Sequence, residues 1–435
     1  MISAAHPQPR KKLPEGILLG WRSAPKKPTG FAGHRPVAGK RYEPIVYQGD
    51  GHLLTIAPTG AGKALNVAVP ALLTYPGPVI ALDVKPELAA VCARRRREMG
   101  HRIVMLAPFG TDSDGLNPFD LFAEPGAMVD VLSETMASML SVGHRFATDP
   151  YWTDSANGLI AGLIAHVATS APPEKRNLNE VRRWMMLDDL DYDLAVALDS
   201  KSVMNRMAHE KFVAYLTAPS DKTRPCIRST AMSHLDTLGS DSVAAMLDHS
   251  TFDLKDIRDG RPADVFLVMP ADRLESHASV LRLCLSTLLT TIIRRTVIPR
   301  QRTLFLADEA GQLGGLDALR QAVTLFRGAG LTCWLFFQDA SQIRKNFVDW
   351  ETLVNNMGVV SAFSIRTRLM AETTSHLIDL PPHELLNLPA DHQALFIQSE
   401  GAMVARKLNY MRDPVFSGMF DPNPRYAQVG DIFLR

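Results

Sequence analysis

The sequence has little cysteine and no recognisable metal motif. Four cysteines are spread over 435 residues without the close pairs of a zinc site. We expect buried thiols in a reducing compartment, with a redox or zinc role as the alternative. The 13 histidines contain no HExxH pattern and no nucleophile stands beside a base, so we treat the histidines as structural or surface residues. The cysteines are Cys92, Cys226, Cys284 and Cys333.

Long apolar runs and a secretion signal are also lacking. The longest apolar stretches, residues 159–167 and 281–293, are short or contain a charge, Arg282, so neither is expected to span a bilayer. No signal peptide opens the chain. With 46% hydrophobic residues, the chain can bury a large core as one domain with an insertion or as two domains. We expect a cytoplasmic globular protein.

The net charge is close to zero. A formal charge of +1 argues against the overall basic character of a dedicated DNA-binding module. Residues 1–45 differ, because nine basic and two acidic residues give this segment a formal charge of +7. We expect a basic, extended arm that contacts phosphates or anionic lipid, with a solvated tail as an equally good alternative.

A glycine-rich turn follows a short strand signal near the start of the chain. Residues 53–65 read LLTIAPTGAGKAL, in which the turn ends in Lys63 and a buried helix is predicted to follow. Backbone N–H groups of such a turn can bind one oxyanion, and the lysine can reach the outer phosphates of a nucleotide. Two positions depart from G-x-x-x-x-G-K-[S/T]. Ala57 replaces the first glycine, and Ala64 replaces the hydroxyl residue that binds magnesium.

The rest of the chain alternates between strand and helix signals, with one interruption. Apolar runs at residues 79–83 and 103–107 flank a helical segment, which predicts a doubly wound α/β fold with a parallel sheet. From residue 127 to 246 the spacing is helical without a convincing strand, so we predict an all-α insertion. Later strands are predicted before Pro270 and in TLFLA, LTCWLFF, VVSAFSIRT and QALFIQSE, with a short polar-to-basic tail after them.

Two acidic residues end one of these later strands. Asp308 and Glu309 follow TLFLA, where a phosphate turn needs partner carboxylates. Asp308 would hold Mg²⁺ directly or through water, and Glu309 would orient and deprotonate a water that attacks the γ-phosphate. Alternatively, Asp308 and Glu309 are only the solvated start of a loop. The presence of the phosphate turn at residues 60–63 favours the catalytic role over this alternative.

Two further polar residues flank the strand LTCWLFF. We expect this strand to neighbour the Asp308 strand, so that Gln338 at its carboxyl end senses the γ-phosphate or the attacking water rather than merely capping the strand. Arg327, in LFRGAG, ends the preceding helix. Alone it is an ordinary helix-end cation, but in a ring of subunits it could neutralise transition-state charge on a neighbour's nucleotide.

Two other patterns have structural interpretations that we favour. Residues 94–97 are four arginines at the end of a predicted helix, where cations are favourable, so a solvated cap is preferred to a nucleic-acid patch. Tyr151 and Trp152, in DPYWTDSANGL, begin a predicted helix. Packing of this aromatic pair is preferred to base stacking.

Taken together, these motifs resemble the coupling proteins of type IV secretion systems, RecA-like, hexamer-forming ATPases that feed DNA or protein substrates to a conjugation or secretion channel. The resemblance covers about residues 45–425 and rests on blocks in the family's order. These are APTGAGK with PALLTYPG after it, LDVKPEL, LNPFD, DPYWTDSANGLIAGLIAH, VFLVMPADRL, FLADEAGQLG, LRQAVTLFRGAGLTCWLFFQDASQI and DWETLVNNMG.

The resemblance implies a division of the chain. A RecA-like P-loop NTPase domain with a mostly parallel central sheet would comprise residues 46–126 and 247–425. An all-α domain that receives substrate would interrupt it at residues 127–246. The basic arm at 1–45 and a C-terminal tail at 426–435 would complete the chain.

The resemblance also implies roles for single residues. Lys63 and the turn would bind the ATP phosphates, Asp308 would bind Mg²⁺, and Glu309 would be the catalytic carboxylate. Gln338 would act as sensor and Arg327 as a trans-acting arginine finger. A small residue after the P-loop lysine also occurs in the family, so its presence is no evidence against ATP binding. The turn consists of Thr59, Gly60, Ala61, Gly62, Lys63 and Ala64.

The implied partners are of three kinds. They are single- or double-stranded DNA bound without regard to sequence, a relaxase or other secreted substrate proteins bound through the all-α domain, and membrane-embedded type IV secretion components. A homo-hexamer is implied, with a monomer as the alternative in the absence of substrate. Family members usually begin with a transmembrane anchor, whereas residues 1–45 are polar and basic. We therefore expect an anchorless form that docks at the inner membrane through partners, with removal of an anchor as the alternative.

Two other functions stay open. The missing hydroxyl at Ala64 favours a non-hydrolysing, nucleotide-binding substrate receptor. Another FtsK-like DNA translocase, such as a septal DNA pump, is the second alternative. The helical insertion and the DPYW block match the coupling proteins better than they match such a pump.

Overall fold

In the part of the chain that the structure describes, eleven strands form one central sheet. The structure is a computed structural model that describes residues 15–23, 42–141, 150–200, 205–308, 317–347 and 349–424. The strands are β1 Ile17–Ser23, β2 Tyr42–Tyr47, β3 His52–Ile56, β4 Val79–Asp83, β5 Arg102–Leu106, β6 Ala263–Val268, β7 Thr303–Ala307, β8 Leu331–Phe337, β9 Met357–Ala362, β10 His392–Ile397 and β11 Gly401–Arg406.

The sheet is parallel over most of its width. Its order is β2-β1-β11-β10-β9-β3-β8-β7-β4-β6-β5. Neighbours from β9 to β5 are parallel, whereas β10, β11, β1 and β2 pair antiparallel at one side. The strands β3, β4, β7 and β8 are buried at every position, which explains why continuous apolar runs predicted them. The predicted α/β fold with a mostly parallel central sheet is confirmed.

The antiparallel side contains strands that the sequence did not predict. The strand β1 lies within residues 1–45, which were expected to form an extended arm, and it pairs with β2 and β11. The strand β11 lies in the residues that were expected to form a polar-to-basic tail. Part of the expected arm is therefore part of the sheet. The C-terminal tail predicted at 426–435 lies outside the described residues.

Helices cover both faces of the sheet. They are α1 Val69–Thr74, α2 Leu88–Glu98, α3 Val129–Ser141, α4 Pro150–Ser170, α5 Leu178–Met185, α6 Leu190–Asp199, α7 Arg206–Thr217, α8 Thr223–His234, α9 Asp241–Asp248, α10 Leu254–Arg258, α11 Ala278–Ile293, α12 Asp317–Leu325, α13 Ala340–Asn346, α14 Trp350–Asn355, α15 Arg368–Ile378 and α16 Pro382–Leu386. Between β5 and β6, the described residues form helices and no strand.

Among the described residues, two apolar clusters form the core, one on each face of the sheet. Neighbouring residues of β3 illustrate this, because Leu53 belongs to the cluster that contains α1 and α2, and Leu54 belongs to the cluster that contains α4 and α11. Successive side chains of a strand point to opposite faces. The helical insertion therefore shares its core with one face of the sheet, and the turn at 60–63 continues into α1 on the other face.

One arginine of the run at residues 94–97 is fully buried, which corrects the expectation of a solvated cap. The guanidinium of Arg96 donates to both carboxylate oxygens of Asp264, at 2.6 and 2.8 Å, and His101 Nδ1 lies 3.0 Å from the same carboxylate. Burial by itself raises the pKa of Asp264, but the hydrogen bonds from Arg96 and His101 outweigh burial, so this pKa lies below its usual range. This cluster joins α2 to β6.

The cysteines follow the prediction with one exception. Cys92, Cys284 and Cys333 are buried, and burial raises the pKa of each thiol, to about 12 for Cys284. Cys226 is exposed on α8, contrary to the expectation that all four are buried. Within the described ranges, no group of three or more His, Cys, Asp or Glu side chains could hold a metal ion. No helix in the described part of the chain has the length and apolar character needed to cross a membrane.

Candidate functional site

The glycine-rich turn lies at the carboxyl end of β3, in the parallel part of the sheet. The strand ends at Ile56, and the N–H of Ala57 donates to the carbonyl oxygen of Phe337 in β8 at 3.0 Å. Gly60 and Gly62 have φ angles of +75° and +86°. Glycine adopts this left-handed region without a Cβ penalty, so these two residues allow the chain to turn sharply between strand and helix.

Asn66 closes the turn from its helical side. Its backbone N–H and its side-chain amide each donate to the carbonyl oxygen of Gly62 at 2.8 Å. A Cβ atom on Gly62 would lie 2.6 Å from Nδ2 of Asn66, whereas a Cβ atom on Gly60 would meet no atom of the described residues within 4 Å. Asn66 was not predicted as part of the site, although its amide, one helical turn after Gly62, is visible in the sequence.

A π-helical turn, Ala64–Ala68, separates Lys63 from α1. Pro70 explains it, because proline has no N–H to donate to the carbonyl of Asn66 and its ring would crowd that carbonyl in a regular α-helix. The wider turn relieves this conflict. The segment predicted as one buried helix therefore begins as a π turn, with the methyl group of Ala64 at its first position.

Lys63 is folded over the turn that it ends. The residue is 7% exposed, and its Nζ donates to the carbonyl oxygen of Ala57 at 3.0 Å. A phosphate oxygen is a stronger acceptor for an ammonium than a backbone carbonyl. Lys63 is thus placed to bind an anion that approaches the turn.

The structure places Asp308 and Gln338 on the same edge of the sheet as the turn. Asp308 follows β7 and is 6% exposed. Gln338 follows β8, and its backbone N–H donates to Oε1 of Gln342 at 2.9 Å. The strand β8 lies between β3 and β7, so the predicted pairing of LTCWLFF with the Asp308 strand is confirmed. Glu309 lies outside the described residues.

This order of strands fixes the spacing of the site. Adjacent strands are about 4.8 Å apart, so the ends of β3 and β7 are about 10 Å apart, with the end of β8 between them. An elongated polyanion bound at the turn would extend past Gln338 toward Asp308. Such an arrangement suits a nucleoside triphosphate whose terminal phosphate is the reacting group.

Another carboxylate on this edge has a structural role. The oxygens of Asp83, at the end of β4, accept hydrogen bonds from the backbone N–H groups of Glu87, Leu88 and Ala89 at 2.8 to 3.1 Å. Burial raises the pKa of Asp83, and these hydrogen bonds offset the effect only in part. Asp83 therefore holds the start of α2, within the block LDVKPEL, and both its oxygens are occupied.

Arg327 is not brought to the turn of its own chain. It lies before β8, and its Nη2 is 2.5 Å from Oδ1 of Asp50, which lies before β3. Because β3 and β8 are parallel, this ion pair is at the amino edge of the sheet, and the length of β3 alone separates it from the turn by about 16 Å. The hydrogen bond raises the pKa of Arg327 and lowers that of Asp50. Both side chains are about half exposed.

The residues at the turn fit a nucleotide. The glycine positions, the buried Lys63 and the carboxylate of Asp308 form a cradle for phosphates with one acidic ligand for a divalent cation. Ala64 has no oxygen to offer such a cation. A magnesium ion here would depend on Asp308 and on phosphate oxygens.

The two aromatic residues at the start of α4, in the helical insertion, pack against each other, as predicted, and one of them is exposed to solvent. Tyr151 and Trp152 form an edge-to-face pair with ring centres 5.1 Å apart at the start of α4. Trp152 is partly buried against the core, whereas Tyr151 is 48% exposed. The packing interpretation accounts for Trp152 and leaves Tyr151 at the surface.

The sequence is similar to conjugation and secretion proteins. The family model described as Type IV secretory system Conjugative DNA transfer matches residues 19–377. The chain is 26% identical over 310 residues to the type IV secretion system-coupling protein VirD4 of Bartonella quintana, and the match covers 69% of this chain and 48% of that protein. The chain thus spans about half the length of the curated relatives it matches. The resemblance seen in the motifs is confirmed.

Solved structures share the fold. The unbound bacterial conjugative coupling protein TrwBdeltaN70 aligns with a TM-score of 0.63 at 17% identity, covering 84% of this chain and 87% of that chain. The plasmid coupling protein TrwB in complex with ADP and Mg²⁺ aligns with a TM-score of 0.61 at 17% identity, covering 84% and 87%. The P-loop NTPase fold expected from the sequence is confirmed.

Proposed function

The chain belongs to the Type IV secretory system Conjugative DNA transfer family, and on this premise we propose that it is an ATPase that recruits DNA, protein substrates or both and drives them into a type IV secretion channel. The observation that carries the proposal is the strand order β3-β8-β7, which brings Lys63, Gln338 and Asp308 to one edge. This is the arrangement that ATP hydrolysis requires of a phosphate turn and its partners.

Each residue of the site has a separate role in the proposed hydrolysis. The turn and Lys63 bind the phosphates, and Asp308 binds Mg²⁺. When bound, Mg²⁺ neutralises charge on the phosphate oxygens. Glu309 orients and deprotonates the attacking water, and Gln338, between the turn and Asp308, detects whether the γ-phosphate is present.

We assign the helical insertion to substrate recruitment. A groove of about 540 Å³ lies between α6, α7 and α8, and its wall contains an ion pair in which Arg224 Nη1 is 2.6 Å from Oδ2 of Asp191. Charged and apolar side chains share this concave surface, which suits a polar peptide segment. A relaxase or another secreted protein would dock here, and membrane-embedded secretion components would hold the ATPase at the inner membrane.

Arg327 supports an assembly of several copies. Because Arg327 lies at the edge opposite to its own turn, it serves hydrolysis only by reaching the nucleotide of a neighbouring copy. We therefore propose a homo-hexamer with an arginine finger supplied in trans. DNA would pass through its centre, held by its backbone, so binding would be independent of sequence and weakened by salt.

A non-hydrolysing receptor is the second candidate, and Ala64 favours it because its methyl group cannot bind Mg²⁺. An FtsK-like DNA pump is a weaker third candidate. Steady-state ATP hydrolysis by the wild type and Lys63→Ala, each with and without single-stranded DNA, separates an ATPase from the non-hydrolysing receptor. We expect DNA-stimulated turnover that Lys63→Ala abolishes. ATP binding without turnover at any protein concentration would establish the receptor instead.

A further inference from the structure

Lys407 is a buried cation that the proposed hydrolysis does not use. It follows β11 and is only 9% exposed. Among the described residues, its ammonium donates no hydrogen bond and forms no ion pair, and it lies 4.8 Å from the centre of the Phe363 ring. Burial lowers the pKa of Lys407, and the negative charge of Asp391 offsets this only in part. In the described part of the chain, the ammonium is not one of the fully buried polar atoms that lack a partner, so solvent reaches it and an anionic ligand could take the place of that water.

The Lys407 side chain reaches toward the phosphate turn. The strand β11 is three strands from β3, which corresponds to about 14 Å. Phe363, however, follows β9, the neighbour of β3, and its N–H donates to the carbonyl oxygen of Ile56 at 3.3 Å. Since the ammonium lies over the Phe363 ring, the side chain extends across β10 toward the start of the turn.

The segment after Lys407 lies on the face of the sheet that contains α1 and the start of the phosphate turn. Phe363 belongs to the apolar cluster that contains α1 and Ala57. The N–H of Tyr410 lies 3.5 Å from the carbonyl oxygen of Leu65, in the π turn after the glycine-rich turn. We call residues 407–413 the strap, because they run from β11 back to this π turn.

The strap is held firmly at its far end. The carboxylate of Asp413 is 5% exposed and accepts hydrogen bonds from Nε1 of Trp21 at 2.8 Å, from the N–H of Asn409 at 2.9 Å and from Arg406 at 3.1 Å. These hydrogen bonds restrain the backbone that carries Lys407, and a restrained backbone is needed for a precise contact with a ligand.

The two sides of the turn differ in chemistry. Gln338 follows β8 and Asp308 follows β7, so both lie on one side of β3, where the terminal phosphate would bind. The nucleoside end of the nucleotide would then point to the other side of β3, toward β9. We propose that Lys407 binds the phosphate nearest the nucleoside, with the strap beside the ribose. This inference rests on the proposed nucleotide site and adds to it a ligand for nucleoside 5′-phosphates.

Calorimetric titration of the whole chain with ADP tests the proposal. Lys407→Met keeps an aliphatic stem over Phe363 and removes the charge, whereas Lys407→Arg keeps the charge. Lys255→Met, on the exposed surface of α10, is the matched control. We expect Lys407→Met to weaken ADP binding about 10-fold or more, and Lys407→Arg and Lys255→Met to stay within a few-fold of the wild type.

Thermal unfolding without nucleotide separates a ligand contact from a structural role. Among the described residues, removal of the ammonium loses only its contact with the Phe363 ring, so the midpoint of Lys407→Met should stay close to that of the wild type. Wild-type ADP affinity in Lys407→Met overturns the inference while leaving the nucleotide site intact. The inference is also overturned if Lys407→Met has a lowered unfolding midpoint and Lys407→Arg loses as much ADP affinity as Lys407→Met does. If the wild type binds no nucleotide, this inference and the proposed function both fail.

Discussion

The side-chain amide of Asn66 donates to the carbonyl oxygen of Gly62 at 2.8 Å, in the space that a Cβ atom on Gly62 would enter. The contact ties the phosphate turn to the first helical turn after Lys63. Both glycines of the turn have positive φ, but of the two, only Gly62 has a described neighbour that a Cβ atom would clash with. The two positions therefore form a matched pair for substitution.

Alanine at either position should destabilise the protein, to different extents. We expect Gly60→Ala to lower the free energy of unfolding by about 1 kcal/mol, the cost of a left-handed alanine. Gly62→Ala should lower it by about 2 to 3 kcal/mol, because Asn66 must also move. Urea unfolding of the two variants measures the difference. Equal losses would show that the Asn66 contact does not restrict position 62.

The buried Arg96 should be essential to stability. Arg96→Met leaves Asp264 buried without its guanidinium partner, and we expect a loss of about 3 to 5 kcal/mol in the free energy of unfolding. Arg94→Met is the control, because Arg94 forms its ion pairs at the surface, where such pairs contribute little. Similar losses in both variants would contradict the assignment of Arg96 as the single interior arginine of the run.

The sequence predicted the centre of the sheet better than its side. Continuous apolar runs identified β3, β4, β7 and β8 because buried parallel strands need no polar face. The strand β1 contains Gly20 and pairs with β11, where Trp21 lies opposite Arg406 far along the chain. A local sequence pattern cannot predict a pairing between residues so far apart in the chain. The same limit applies to residues 94–97, since composition alone cannot show which arginine meets Asp264.

The candidate site was predictable where a motif specifies it. Lys63, Asp308 and Gln338 come from the phosphate turn and from strand ends, and the structure brings these three to one edge. Lys407 has no such motif. Its position depends on the antiparallel pairing of β10 with β11, and of these two strands only β10 was predicted. The placement of Arg327 at the opposite edge likewise follows from strand order and not from its immediate neighbours.

His52 should make stability depend on pH in the acid range. It is fully buried, and burial lowers its pKa to about 4, below the value of about 6.5 for an unfolded histidine. Between these values the unfolded state binds more protons, so stability should fall as the pH is lowered from about 6.5 to about 4. The expected loss from this residue is about 3 kcal/mol.

His52→Asn isolates this contribution. Nδ1 of His52 accepts a hydrogen bond from the N–H of Cys333 at 3.0 Å, and an asparagine oxygen can accept the same bond without titrating. Denaturant unfolding at several pH values should give a shallower slope for His52→Asn than for the wild type. Parallel curves would mean that His52 is not the titrating group.

Arg327 and Lys63 should complement each other between subunits. Arg327→Ala lacks the proposed finger and Lys63→Ala lacks the proposed phosphate ligand, so each variant alone should be inactive in DNA-stimulated ATP hydrolysis. A mixture contains interfaces with an intact turn and an intact finger, and its activity should be partly restored.

Asp50→Ala controls for the ion pair, since it releases Arg327 without removing it. This variant should keep the activity of the wild type within a few-fold. A mixture of Arg327→Ala and Lys63→Ala that stays as inactive as its components would argue against action in trans. Full activity of Arg327→Ala alone would remove Arg327 from the site.

The edge formed by β3, β8 and β7 should hydrolyse ATP rather than only bind it. Glu309→Gln tests this directly, because the amide keeps the size of the side chain and cannot accept a proton from water. ATP affinity and DNA-stimulated turnover should be measured on the same preparation. We expect affinity within a few-fold of the wild type and turnover reduced about 100-fold or more. Turnover equal to that of the wild type would contradict catalysis of ATP hydrolysis by Glu309.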